Sequence, residues 1–118
     1  MTGDELAELL SSGDVALLDV RTHEEFAGLS GYPCDPYQGH IEGAAHLDLN
    51  ELYPVAGDHD AIRRYLAERG IPEGRPVVVY CHSGQRSELA AALLRAAGID
   101  AVNYPGSWHE WSRRKPPA

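Results

Sequence analysis

Apolar positions follow two rhythms along the chain. In short stretches they run almost unbroken: Val15-Ala16-Leu17-Leu18-Asp19-Val20, Ala44-Ala45-His46-Leu47-Asp48-Leu49, Val77-Val78-Val79-Tyr80 and Ala101-Val102-Asn103-Tyr104. Such runs predict strands, the first of them covered on both faces. Between them the period lengthens to that of a helix. Thr2 and Glu5 have capping-box spacing ahead of Leu6, Leu9 and Leu10, and Ser12-Gly13-Asp14 ends that helix. Thr22 through Leu29 predicts a short helix with Phe26 and Leu29 inward. Asp58 caps another that runs to Arg69 on an Ile62, Tyr65, Leu66 stripe, stopped by Gly70 and Pro72. Glu88 through Ala97 predicts the strongest helix, ended by Gly98. Ser107-Trp108-His109-Glu110 repeats the capping-box spacing, opens a last helical turn with Trp108 and Trp111 as lid or core, and leaves residues 113–118 as a tail. Strands alternating with helices imply a mostly parallel sheet with helices on both faces, where ligands sit at the carboxyl ends of strands.

Composition narrows the class. The 118 residues suit one domain with a single core, and 43% hydrophobic with 24% charged residues is ordinary for a globular protein. A net charge of −8 argues against nucleic acid or an anionic membrane as partner, and requires any anion site to be built from local groups. No apolar run reaches membrane-spanning length, and no signal peptide precedes the first helix. Two cysteines, Cys34 and Cys81, make no disulfide framework, so a reducing cytoplasm is expected. The histidines lack metal-ligand spacing, and no metal or other cofactor is assigned. Arg63, Arg64 and Arg69 read as a solvated face.

The candidate chemistry lies after the third strand. Val77–Tyr80 runs into Cys81, followed by His82, Ser83, Gly84, Gln85, Arg86 and Ser87 and then the strong helix. Successive N–H groups of such a loop, together with the helix's positive end, can converge on one anion. A thiol placed there has a lowered pKa. Arg86 adds to that field, and so does His82 when protonated. The plainer reading is a buried strand-end cysteine. Asp19 interrupts a buried run and needs a partner, for which Arg21 is at hand; a structural ion pair and a direct chemical role both fit. Cys34 lies among turn residues, Ser30 to Gly39, and reads as a surface thiol outside any catalytic cycle, with a redox partner for Cys81 as the alternative.

Leu18-Asp19-Val20-Arg21, Glu25-Phe26, Gly39-His40-Ile41-Glu42-Gly43-Ala44, Val78-Val79-Tyr80-Cys81 with Gly84, and Tyr104-Pro105-Gly106-Ser107-Trp108-His109-Glu110-Trp111, in that order, resemble a rhodanese domain from about Thr2 to Trp111. The resemblance implies an α/β fold with a five-stranded, mainly parallel sheet. It also implies an active-site loop from Cys81 to Arg86, and sulfur transfer through a Cys81 persulfide without a cofactor. The donor would be thiosulfate and the acceptor cyanide, glutathione or a small protein thiol. Arg86 and His82 would hold the dianion, with Ser83 or Ser87 donating further hydrogen bonds. The chain departs from the tandem enzymes of the family in carrying one such domain, in starting at the first helix, and in having Glu25 where several of them place a substrate-binding arginine. Two other readings compete. A cysteine phosphatase or arsenate reductase needs one more residue between cysteine and arginine than His82, Ser83, Gly84 and Gln85 supply. A catalytically silent partner-binding module would commonly lack the cysteine.

Overall fold

The computed structural model describes residues 1–114; the end of the expected tail, residues 115–118, lies outside them. Helix α1 (Gly3–Ser12) is followed by strand β1 (Ala16–Asp19), α2 (His23–Phe26), β2 (Ala45–His46), α3 (Leu49–Leu52) and a 3₁₀ turn (Tyr53–Val55). Then come α4 (His59–Glu68), β3 (Val77–Tyr80), α5 (Gln85–Ala96), β4 (Ala101–Asn103) and α6 (Ser107–Trp111). The strands form one parallel sheet in the order β2-β1-β3-β4. Four strands are present among the described residues, one fewer than the resemblance implies.

Alternation along the central strands divides the core in two. Leu17, Val78 and Tyr80 face Leu6 of α1, Trp108 of α6 and Tyr104. Leu18, Val20, Val77, Val79 and Cys81 face Leu52, Ile62, Leu66, Ala90 and Leu94 from α3, α4 and α5. The two central strands, β1 and β3, are thus buried on both sides, which is why their sequences run apolar rather than alternating.

Local signals hold where the partner is local. Thr2 accepts from Glu5 N and Glu5 answers on Thr2 N; Asp58 accepts from Ala61 N; Gly13 ends α1 with φ 75°. Four expectations fail. The run from Ala44 is a strand only at Ala45–His46, because Asp48 accepts from Asn50 N and turns Leu49 into α3, a helix that apolar alternation hides. In α2 the inward residue is Glu25, while Phe26 is half-buried against His40 and His46 and Leu29 is 78% exposed. Ser107 is not a cap: Gly106 precedes the helix, and Ser107 sits at φ 53° with its hydroxyl turned inward. Arg69 is half-buried rather than solvated, donating to His46 O, Tyr65 O and Glu51.

Candidate active site

Helix α5 begins three residues earlier than its apolar pattern suggests, and this sets the site. Gly84 is the residue before its first turn, with φ 96° and no side chain to cap the free N–H groups. Cys81, at the end of β3 and 1% exposed, supplies the missing acceptor. Its Sγ accepts from Gly84 N at 3.1 Å and from Ser87 Oγ at 3.3 Å. Burial pushes the thiol up. The Ser87 hydroxyl and the backbone N–H groups of Ser87, Gly84 and Ser83 outweigh it, so the pKa lies below its usual value. Ser87 is the third residue of the helix, whose N–H an ordinary capping side chain would take. The Cys81 sulfur therefore also caps the start of α5.

Gly84 is required twice over. Its φ lies in the left-handed region, and a Cβ there would stand 2.6 Å from Pro105 O. The turn after β4 presses on the loop elsewhere too. Cys81 N donates to Ser107 Oγ at 3.1 Å, Trp108 N to Cys81 O and His109 N to His82 O, both at 2.9 Å. Asn103 is a site residue that sequence reading missed. Its Nδ2 donates to Gly84 O at 3.0 Å, and its Oδ1 stands 2.6 Å from Ser87 Oγ. A hydroxyl carries one proton, so Ser87 serves either Asn103 or the sulfur at a given moment.

The remaining candidates divide. Ser83 and Gln85 are exposed at the loop's rim. Arg86 is not free to act as an isolated cation: Nη1 and Nη2 hold Glu25 Oε1 and Oε2 at 2.8 and 3.0 Å. Burial would raise the Glu25 carboxyl, but Arg86 and the Thr22 N–H bring it down to about 2, while Glu25 raises Arg86 above its ordinary value. Glu25 thus partly neutralises the loop's own cation. His82 is turned from the sulfur toward Asp35, with Nε2 3.0 Å from Oδ2, and its ring stacks on Tyr32 at 3.7 Å between centroids. Burial would raise Asp35, but Arg113 and His82 carry it below its usual value. Arg113, expected in the tail, donates to Asp35 at 2.9 Å and to Cys34 O at 2.8 Å. Asp19 and Arg21 form a buried pair at 2.7 Å; Arg21 also donates to Gly39 O at 2.6 Å and lies over the Tyr80 and Trp108 rings. They brace the loop after α2 and do not touch Cys81. Both cysteines are free thiols, Cys34 exposed.

A parallel α/β sheet that delivers a capped, acidified cysteine to the start of a helix defines a class of thiol-centred anion sites. Comparison with known proteins makes it specific. Residues 2–114 match the rhodanese-like domain model, and the chain belongs to that family. It is 38% identical over 109 residues to "Putative thiosulfate sulfurtransferase SseB" of Mycobacterium tuberculosis, with 90% of this chain aligned but only 38% of the relative. The chain thus spans about two fifths of the length of such curated relatives. It is 33% identical to the human thiosulfate:glutathione sulfurtransferase, covering 94% of this chain and 90% of the human one. Among solved structures, the human single-domain sulfurtransferase TSTD1 superposes with a TM-score of 0.75 at 30% identity, covering 98% of this chain and 96% of that one. No helix among the described residues is long and apolar enough to cross a membrane.

Proposed function

We propose that the protein is a sulfurtransferase that carries sulfane sulfur on Cys81, from thiosulfate to cyanide or to a thiol such as glutathione or a small protein thiol, in a reducing cytoplasm. The observation that carries this reading is the cap: a buried thiol with a lowered pKa, held by Gly84 N and the Ser87 hydroxyl at the start of α5. The Cys81 thiolate attacks the outer sulfur of thiosulfate. A Cys81–sulfur bond forms, the bond to the sulfonate sulfur breaks, and its electron pair leaves with sulfite. The three negative charges of the reactants become one on the persulfide and two on sulfite. The acceptor, as cyanide or thiolate, then attacks the outer sulfur and returns Cys81 as thiolate. The loop N–H groups stabilise the anion at each stage, and the N–H groups of Arg86 not spent on Glu25 are available to the donor's sulfonate oxygens. The human relative of similar length, named for thiosulfate and glutathione, supports this donor and a thiol acceptor.

The test is thiosulfate–cyanide turnover with intact mass. Wild type should gain one sulfur atom on thiosulfate and lose it on cyanide. Cys81→Ser should do neither and remain folded; turnover near the wild-type rate in that variant would overturn the reading. Cys34→Ser should turn over almost normally, because the cycle uses one thiol. A Cys34–Cys81 disulfide found in oxidised protein by peptide mapping would instead give Cys34 a part in it.

A further inference from the structure

Cys34, Asp35, His82 and His109 are scattered in sequence, yet the fold brings one ligand atom of each within 4.8 Å of the others. Cys34 and Asp35 come from the loop after α2, His82 from the active-site loop and His109 from α6. Two of these groups are buried and incompletely satisfied. The Asp35 side chain is fully enclosed; its Oδ1 takes the Arg113 hydrogen bond, while its Oδ2 has no hydrogen-bond partner among the described residues. His82 Nε2 is likewise buried and without one. The two atoms face each other at 3.0 Å, an ion-pair distance, without the alignment of a hydrogen bond. Buried polar atoms left in this way are costly and uncommon. The other separations are 3.7 Å from His109 Nδ1 and 4.0 Å from Cys34 Sγ, each to Asp35 Oδ1.

We propose that these four side chains form a binding site for one zinc-type divalent ion, distinct from the Cys81 sulfur cradle. A tetrahedral zinc ion with ligands at about 2.0–2.3 Å needs donor atoms separated by roughly 3.3–3.8 Å. The cluster reaches that when Cys34 and His109, its two accessible members, move inward and the 3.0 Å His82–Asp35 pair opens by a few tenths of an ångström. One thiolate and two imidazoles select zinc, cobalt or cadmium over magnesium or calcium. Arg113 fits as the outer support: it donates to Asp35 Oδ1 and grips Cys34 O through its other nitrogen. Its charge also makes the site weaker than an all-thiolate one. On binding, the Cys34 S–H proton leaves to solvent and the sulfur–metal bond replaces it. The ion would tie together the loop after α2, the residue following Cys81, and α6.

Co²⁺ is the probe, titrated at micromolar concentration into the full chain carrying Cys81→Ser, so that the catalytic thiol contributes nothing. One equivalent should bind with the intense visible bands of tetrahedral cobalt and a near-ultraviolet thiolate charge-transfer band, and Zn²⁺ should bleach both. Adding Cys34→Ser should abolish the charge-transfer band, and adding His109→Ala should weaken binding at least tenfold; both residues are accessible, and far-ultraviolet circular dichroism checks that each variant is folded. Absence of uptake, uptake without the thiolate band, or unchanged affinity in the Cys34→Ser chain would overturn the site and leave the cluster as an ion-pair network around Asp35.

Discussion

Two arginine–carboxylate pairs flank strand β3, and they differ in almost everything except chemistry. Arg21 and Asp19 are 1% and 0% exposed and two residues apart at the end of β1. Arg86 and Glu25 are 33% and 10% exposed, and 61 residues separate them. The first pair has paid its desolvation in full and keeps its geometry through further ties to Gly39 O and two aromatic rings. The second faces the mouth of the site, where one partner's charge mutes the other's. Burial therefore assigns the inner pair to the scaffold and leaves the outer pair able to answer a ligand.

The contrast is sharpest in stability. Asp19→Ala leaves the Arg21 charge buried and alone, and should cost about 3–5 kcal/mol in denaturant unfolding. Glu25→Gln, which keeps a hydrogen-bonding side chain opposite the partly exposed Arg86, should cost only about 1 kcal/mol. Equal losses would erase the distinction. Activity should show the reverse order. Arg86→Ala should raise the Michaelis constant for thiosulfate by about tenfold, the worth of a charge-assisted hydrogen bond, with little change in kcat. Glu25→Gln should lower that constant, because it unmasks the guanidinium; a rise would mean that Glu25 is needed to aim Arg86. The smallest effect is on pH dependence. Glu25 is depressed to about 2 from an ordinary 4.5, so its stabilisation is complete above 4.5 and is lost as pH falls toward 2. Urea midpoints of wild type and Arg86→Ala should therefore converge across that window; a constant gap would exclude Glu25 as the linked group.

What could be read from the sequence is what the chain settles within a few residues. The strands around Leu17–Leu18 and Val77–Val79 and the Thr2–Glu5 and Asp58 caps all depend on near neighbours. What escaped depends on distance. Nothing near Arg86 announces that Glu25 will take two of its N–H groups. Asn103 reads as part of a strand until the sheet lays it beside Ser87 and Gly84. Ser107 matched a capping box, but Cys81 N, 26 residues back, has the stronger claim on its hydroxyl, and the helix starts without a side-chain cap. The histidines showed no ligand spacing because the grouping of His82 and His109 with Asp35 is made by the packing of α6 against the active-site loop.

In the proposed sulfur transfer, the cap that Cys81 places on the start of α5 becomes a built-in reporter. Charge on a thiolate sits on the atom the Gly84 and Ser87 amides hold; once a second sulfur is attached, it moves one atom outward and the held sulfur becomes a neutral, poor acceptor. Those two amide protons must then follow the charge or lose part of their partner. Their nitrogen–proton resonances and their exchange with deuterium become a residue-level gauge of how much sulfur the protein carries, readable without a chromophore and without consuming the cargo.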